Sequence, residues 1–465
     1  MRKGEIGLFL VYFLFFTGNI FYLKTNFYPS ITEFPFNFEE DYEWKSSNFK
    51  RPNTGYINLT NQNLFWFIQI TDIQKIWYED EQVNNFYQFL NESYNEIDPL
   101  FIYNTGDLVD ADNGAKQDKE EWKRYKKALD ENYMNASIYY DLVGNHDAAD
   151  DSSLSHFLNY SMMGRKFNTS QYSFNKTFSF GNYAFIGINT AKEDYNPIEF
   201  SFFGFLNTEE LDWYEKQLEK YKEFDKIFVF GHHPNKFPPF LTIISNFSSS
   251  GKTFSDLNNE YNIFCYFSGH VHLNSYQNED GFLMITTASF NQENGTYRIV
   301  SLDHNQISTS IENVGTWPQG IITYPPRGDY ITESTKYKVN KIRVLAWDPQ
   351  GVQSVKWGIF DTKDERQIKD WEILTKIDDK EPLWEDNWDF ITRGKFLIKV
   401  QIEGGSGEVV KEMIFNLKSD WYIEPIFSII LLFLALISIP IIITYYLRTH
   451  ISENRKLMDL KKKKK

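Results

Sequence analysis

The sequence predicts an α/β chain in three parts: a layered β-sheet core with flanking helices, a smaller all-β immunoglobulin-like domain, and a C-terminal transmembrane helix. Three observations carry this. From Leu64 to about Ile311, short apolar runs alternate with amphipathic stretches, the pattern of buried strands separated by helices. Past the breaker cluster Pro325, Pro326, Arg327 and Gly328, the pattern changes to strands separated by turns. From Ile426 to Leu447 about 22 residues run without a charge, long enough to cross the hydrocarbon layer of a bilayer.

In chain order, Arg2 and Lys3 precede an apolar stretch from Gly7 to Tyr22 that Lys24 closes, the form of an export signal, so residues 1–25 read as a signal peptide or signal anchor. The strands expected next are Phe65 to Ile70, Leu100 to Tyr103, Ile138 to Val143, Tyr183 to Ile188, Lys226 to Phe230, Ile263 to Phe267 and Phe282 to Thr286. Helical spacing marks Val83 to Glu96, Lys119 to Asn132 and Thr208 to Phe224, with Thr208 as the expected N-cap of the last. Cys265 is the one cysteine of 465 residues, so no internal disulfide forms, and it reads as a small buried strand residue without a catalytic role. Aromatic residues make up 18% of the chain, which argues for large packed cores. A net charge of -15 would repel a phosphate backbone and excludes nucleic acid as a partner.

Residues 325–420 read as the β-sandwich, with strands at Lys341 to Trp347, Val355 to Phe360, Lys395 to Ile402 and Val409 to Leu417. A transmembrane helix over 424–447 and a basic tail over 448–465 follow. Basic residues at both extremes put both ends in the cytosol by the positive-inside rule, and everything between them in a secretory lumen. Lys462 and Lys463 stand where a dilysine retrieval signal would, pointing to the endoplasmic reticulum; a plain stop-transfer charge cluster explains them equally well. Eight Asn-x-Ser/Thr sequons, at Asn58, Asn91, Asn135, Asn159, Asn168, Asn175, Asn246 and Asn294, fall in that stretch and mark it as a candidate glycoprotein.

Five short segments place metal-liking side chains just after apolar runs: Asp72 to Gln74, Gly106-Asp107, Gly144-Asn145-His146-Asp147, Gly231-His232-His233 and Gly269-His270-Val271-His272. Loops at the carboxyl ends of sheet strands are where α/β proteins collect ligands, so the five can converge on one crevice. Carboxylate, imidazole and amide oxygen donors suit iron, manganese or zinc.

Taken in order, these blocks resemble the calcineurin-like metallophosphoesterases, whose pattern is Asp-x-His, Gly-Asp, Gly-Asn-His-Asp/Glu, a further His, and Gly-His-x-His. The resemblance covers about residues 64 to 310, implies a layered β-sandwich flanked by helices, and sets that domain at 60–312. Within the family the plan looks most like the transmembrane protein 62 group. The resemblance implies two divalent or trivalent metal ions (Mn, Fe or Zn), with Asp107 bridging them. Asp72, Gln74 and His272 would hold the first, and Asn145, His232 and His270 the second. His146 would be the general acid beside the leaving oxygen, with Asp147 next to it as orienter.

The expected activity is hydrolysis of a phosphomonoester or phosphodiester, a lipid- or glycan-linked one suiting an enzyme anchored in a membrane. One departure matters: the family pattern has His where this chain has Gln74, a weaker, neutral donor. That keeps a second expectation open, a catalytically impaired member acting as a lumenal binding or scaffold protein. Asp110 could turn inward to compensate, although a helix cap is the expected role.

Overall fold

The computed structural model describes residues 55–57, 59, 62–111, 116–191, 203–237, 241–279, 282–292, 295–328, 330, 340–389 and 394–417. The apolar segments assigned to a signal (1–25) and a transmembrane helix (424–447), and the basic tail, lie outside them. Among the described residues no helix is long and apolar enough to cross a membrane.

Two sheets face each other in the first part of the chain. The first runs Gln306–Asn313, Thr296–Asp303, Leu64–Ile70, Ile102–Asn104, Tyr139–Asp141, and its last three strands are parallel. The second runs Ser275–Glu279, Phe282–Thr286, Cys265–Ser268, Lys226–Phe230, Gly181–Gly187, Tyr172–Phe178, with its four inner strands parallel. Side chains alternate across a strand, so each central strand serves two cores. In Lys226–Phe230, Phe228 and Phe230 turn to the core shared with the first sheet, while Ile227 and Val229 turn to the layer that includes Leu211, Tyr214, Leu218, Phe254 and Leu257 of the helices Thr208–Tyr221 and Phe254–Glu260. The shared core is largely aromatic: Phe67 lies 4.9 Å from Phe101, 5.7 Å from Phe267 and about 6.1 Å from both Phe228 and Phe230, ring centre to ring centre. Offset-stacked and edge-on contacts of this kind suit ring quadrupoles and account for much of the chain's aromatic content.

The β-rich part is two four-stranded sheets, Gln319–Tyr324, Lys341–Trp347, Leu383–Asn387, Thr375–Lys376 and Gln367–Ile373, Val352–Asp361, Gly394–Gly404, Gly407–Leu417. Its first strand precedes the proline cluster and pairs with Lys341–Trp347. Strand Lys341–Trp347 is buried on both faces. Ile342, Val344 and Ala346 join Trp357, Ile398 and Val400 in the sandwich core, while Leu345 and Trp347 join the core of the first two sheets, where Trp347 meets Trp66 at 5.9 Å. Arg343, on that same second face, pairs with buried Asp303 of strand Thr296–Asp303.

Local detail departs from the sequence expectations where side chains compete for one role. Asn207, not Thr208, caps helix Thr208–Tyr221, in a reciprocal box with Glu210; Thr208 Oγ1 instead donates to Phe247 O. The strands Tyr172–Phe178, Ser275–Glu279 and Gln306–Asn313 escaped notice because their half-exposed, polar-rich sequences lack the continuous apolar run of a central strand. Cys265 is buried in its strand, and burial pushes its thiol up, which fits an inert core residue.

Arg343 and Asp303 are 2% and 0% exposed, so removing the cation leaves a buried carboxylate held only by His304 Nδ1 and the Thr323 hydroxyl, each at 2.6 Å. Arg343→Met is expected to cost about 3–5 kcal/mol, read as a lower thermal midpoint, whereas a midpoint within error of the parent's would mean Asp303 has found another partner.

Candidate metal centre

The five chemistry-bearing segments follow five parallel strands, three in the first sheet and two in the second, and their side chains meet above the strand ends. Asp72, Asp107, His270 and His272 all have left-handed backbones, with φ of 55°, 56°, 70° and 55°. Non-glycine residues rarely adopt this region, and such residues cluster where function demands it. Backbone bonds tie the loops together: Asp72 N–H donates to Gly106 O and Ile73 N–H to Asp107 O, both at 2.9 Å. Glycine is required beside them. A Cβ on Gly144 would lie 2.1 Å from Asp107 Oδ1, and one on Gly269 would lie 1.9 Å from Thr71 Oγ1 and 2.5 Å from Asp72 Oδ2.

One cluster contains Asp107, His232, His270 and Asn145. Ligand atoms of the first three lie within 4.8 Å of one another. His232 Nε2 is 3.3 Å from Asp107 Oδ2 and 3.0 Å from Asn145 Oδ1, and His270 Nδ1 is 2.9 Å from that same Oδ1. Donor atoms about 3 Å apart form the edges of a coordination polyhedron with bonds of about 2.1 Å. His232 Nδ1 donates to Thr105 O at 2.9 Å, which leaves the Nε2 lone pair facing the cluster. Asp107 Oδ1 accepts the His146 N–H at 2.9 Å, so Oδ2 is the oxygen left facing His232.

The neighbouring cluster is Asp72, His272 and Gln74. Asp72 Oδ2 accepts from Thr71 Oγ1 at 2.6 Å and from His270 N–H at 3.0 Å, while Oδ1 lies 3.1 Å from His272 Nε2. Gln74 is 1% exposed; its Nε2 is 3.5 Å from His272 Nε2 and its Oε1 has no hydrogen-bond partner. Rotating the amide by half a turn presents that orphaned oxygen to the Asp72–His272 pair. A buried acceptor without a partner beside an imidazole and a carboxylate fits a cation site.

The charges respond to this crowding. Burial alone would raise both carboxyls, yet His272 and His232 hold Asp72 below its usual range, and His232 and His146 hold Asp107 further below. His232 is raised to about 9: burial opposes its charge, but Asp107 and Asp72 outweigh it. His270 falls to about 3 through burial and the neighbouring His232. Two buried anions thus hold a proton between them in the absence of a metal, which a cation would replace.

His146 occupies the rim, its side chain 17% exposed, with Nε2 4.0 Å from Asp107 Oδ2 and Nδ1 3.0 Å from Asp110 Oδ1. Asp110, expected as a helix cap, therefore turns inward to His146. The following helix, Lys119–Glu131, is capped by Asp118. Asp147, expected beside His146 as its orienter, instead accepts from Gly144 N–H on Oδ2 and from Leu108 and Val109 N–H on Oδ1, at 2.8 to 3.1 Å, and so pins two of the ligand loops together. His233 lies behind the cluster, its ring 4.4 Å from that of His270 and its Nδ1 2.9 Å from Thr190 Oγ1. The sequence reading missed Glu121, which accepts the Asp110 N–H at 2.7 Å and the Tyr78 hydroxyl proton. Its helical position gave no signal, because a charged residue in a helix normally faces water.

Two expectations follow. Gly144→Ala pushes directly on Asp107 and should weaken metal binding at least tenfold in a metal titration; unchanged affinity would show that Asp107 yields without loss. Burial lifts the Glu121 carboxyl to about 8, against the hydrogen bonds from Tyr78 and Asp110. The folded state then holds a proton that the unfolded chain releases near 4.5, so stability falls as pH rises between those values. Glu121→Gln should gain thermal stability relative to the parent across that window, and a constant difference from pH 4.5 to 8 would contradict the assignment.

The similarity to known proteins covers the site from Asp72 to His272. Residues 65–274 match the family model for calcineurin-like phosphoesterases. Transmembrane protein 62 of Mus musculus is 28% identical over 316 residues, 63% of this chain and 47% of that protein. A protein named as a metallophosphoesterase in Arabidopsis thaliana is 28% identical over 233 residues, 46% of this chain and 30% of that one. The chain thus spans about half or less of the length of the curated relatives it matches. Among solved structures, GAP50, the anchor in the inner membrane complex of Plasmodium, aligns at 16% identity with a TM-score of 0.38, over 55% of this chain and 86% of its own.

Proposed function

Because residues 65–274 match the family model for calcineurin-like phosphoesterases, we propose that the protein is a metal-dependent phosphoester hydrolase with two adjacent metal positions. The observation that carries the reading is the convergence of Asp107, Asn145, His232 and His270 on one point, with Asp72, Gln74 and His272 alongside. Asp107 would be shared between the two positions. Asn145, His232 and His270 complete one, and Asp72, Gln74 and His272 the other.

When bound, the metal ions (manganese, iron or zinc) supply positive charge to the phosphoryl oxygens and acidify the attacking water. His146 holds a proton at Nε2 and gives it to the leaving oxygen, because Nε2 faces the cluster while Asp110 anchors Nδ1. Asp147 acts on the frame rather than on the proton, holding the Gly144 and Leu108 loops together. His272 and His146 are partly exposed, so substrate would reach the site on their side.

We assign residues 60–312 to the catalytic domain and the following β-rich sheets to an immunoglobulin-like sandwich that braces it. The apolar segments 1–25 and 424–447 would anchor the chain with its catalytic domain in the lumen of the endoplasmic reticulum. The name of the mouse relative supports membrane association. A phosphoester carried on a lipid or glycan suits such an anchor.

Gln74 favours a second reading, a binding protein built on an impaired site. Hydrolysis of an aryl phosphomonoester and an aryl phosphodiester with added manganese separates the two. The hydrolase reading expects turnover that His146→Ala lowers about 10²–10⁴-fold with metal retained, and that Gln74→His raises. Absence of turnover in both the parent and Gln74→His would leave the binding protein.

A further inference from the structure

A cavity of about 240 Å³ lies where the two parts of the chain meet, lined by Arg298, Arg327, Tyr276, Tyr330, Asn274 and Lys411 among others. None of the metal-centre side chains lines it. Arg298, on strand Thr296–Asp303, is 4% exposed. Its Nε donates to Thr287 Oγ1 at 2.8 Å, one terminal nitrogen to Thr309 Oγ1 at 3.0 Å, and the other to Asn274 Oδ1 at 2.9 Å and Thr286 O at 3.0 Å. Every one of these acceptors is neutral, and among the described residues no carboxylate pairs with this guanidinium. An arginine keeps its charge in a folded protein, so the cavity wall carries a buried cation without a counter-ion, an arrangement that is costly unless an anion completes it. The Tyr330 hydroxyl, 2.8 Å from Thr309 Oγ1, is the remaining neutral group beside the fork, so an anion entering here would meet a guanidinium satisfied in hydrogen bonds but not in charge.

The surroundings add to the positive charge. The Arg327 guanidinium stands 5.4 Å from the ring centres of both Tyr276 and Tyr330, which meet edge to face at 4.9 Å. Lys411 lines the same wall, bound to Glu312 at 2.6 Å, and Glu412 is the one carboxylate in the lining. With Glu312 counted against Lys411, three cations face two carboxylates, and Arg298 and Arg327 carry the positive excess in a chain of net charge -15. Its volume equals the share of about eight waters, more than one ion needs and less than a drug-sized pocket.

We propose that this cavity binds a phosphate group, free or carried by a small organic molecule, with Arg298 and Arg327 receiving the phosphate and Tyr276 and Tyr330 flanking the remainder. Paired guanidinium groups match the oxygens of a phosphate in geometry and charge. The proposal does not depend on the hydrolase reading. Asn274, which holds the Arg298 fork, follows the metal-side His272 by two residues and also accepts the Ala288 N–H at 3.1 Å, so the cavity and the metal centre share a loop.

The test is thermal unfolding of the full chain in detergent, with a chelator present so that the metal centre is not loaded. Inorganic phosphate, glycerol 3-phosphate and acetate are compared at matched ionic strength. A midpoint rise of roughly 3 °C or more with phosphate or its glycerol ester, absent with acetate and lost in Arg327→Gln, is expected. The larger of the two rises tells free phosphate from its ester. Arg327 is half-buried, so this variant should fold even if Arg298→Met does not. The proposal is overturned by no rise with either phosphate, by an equal rise with acetate, or by a rise that survives Arg327→Gln.

Discussion

The carboxylate of Asp107 is the point on which the site is organised. Its backbone is left-handed at the end of a buried strand, its Oδ1 takes the His146 N–H, and its Oδ2 faces His232. Each connection fixes a different loop, so the side chain reads out the spacing of the first sheet against the second. Gly144 must be glycine for the carboxylate to lie there at all, and Asp147 then ties the Gly144 turn back to Leu108 and Val109. Two buried carboxylates within one crevice would repel each other, and only cations or protonated imidazoles make the arrangement stable.

That frame holds its shape because the strands feeding it are packed on both faces. Phe67, Phe228, Phe230 and Phe267 fill the space between the sheets, leaving little room for the strand ends to slide. The same principle joins the β-rich part to the rest. Strand Lys341–Trp347 places alternate residues in two cores, and Arg343 meets Asp303 across the junction, so the sandwich is bound to the first two sheets by apolar contact and a buried ion pair together.

Much of this was legible in the sequence, for physical reasons that also explain what was not. Runs such as Lys226 to Phe230 and Phe282 to Thr286 are buried on both faces, so continuous apolar residues give their bounds, whereas half-exposed Tyr172–Phe178 offers no such run. Motif order pointed to side chains that the fold brings within about 3 Å of one another, because glycine-flanked turns at strand ends are local features. Roles set by long-range competition were not legible. Asp110 could cap a helix or turn inward, and only the placement of Asp118 and His146 decides between them. Arg298 carries no local signal in the sequence, because its enclosure depends on two sheets meeting.

Elemental analysis of the purified full chain tests the central claim most directly. Two equivalents of manganese, iron or zinc per chain, with both lost in Asp107→Asn, is the expected result. A chain that holds no metal at saturating concentrations, or an Asp107→Asn variant that keeps both equivalents, would contradict it.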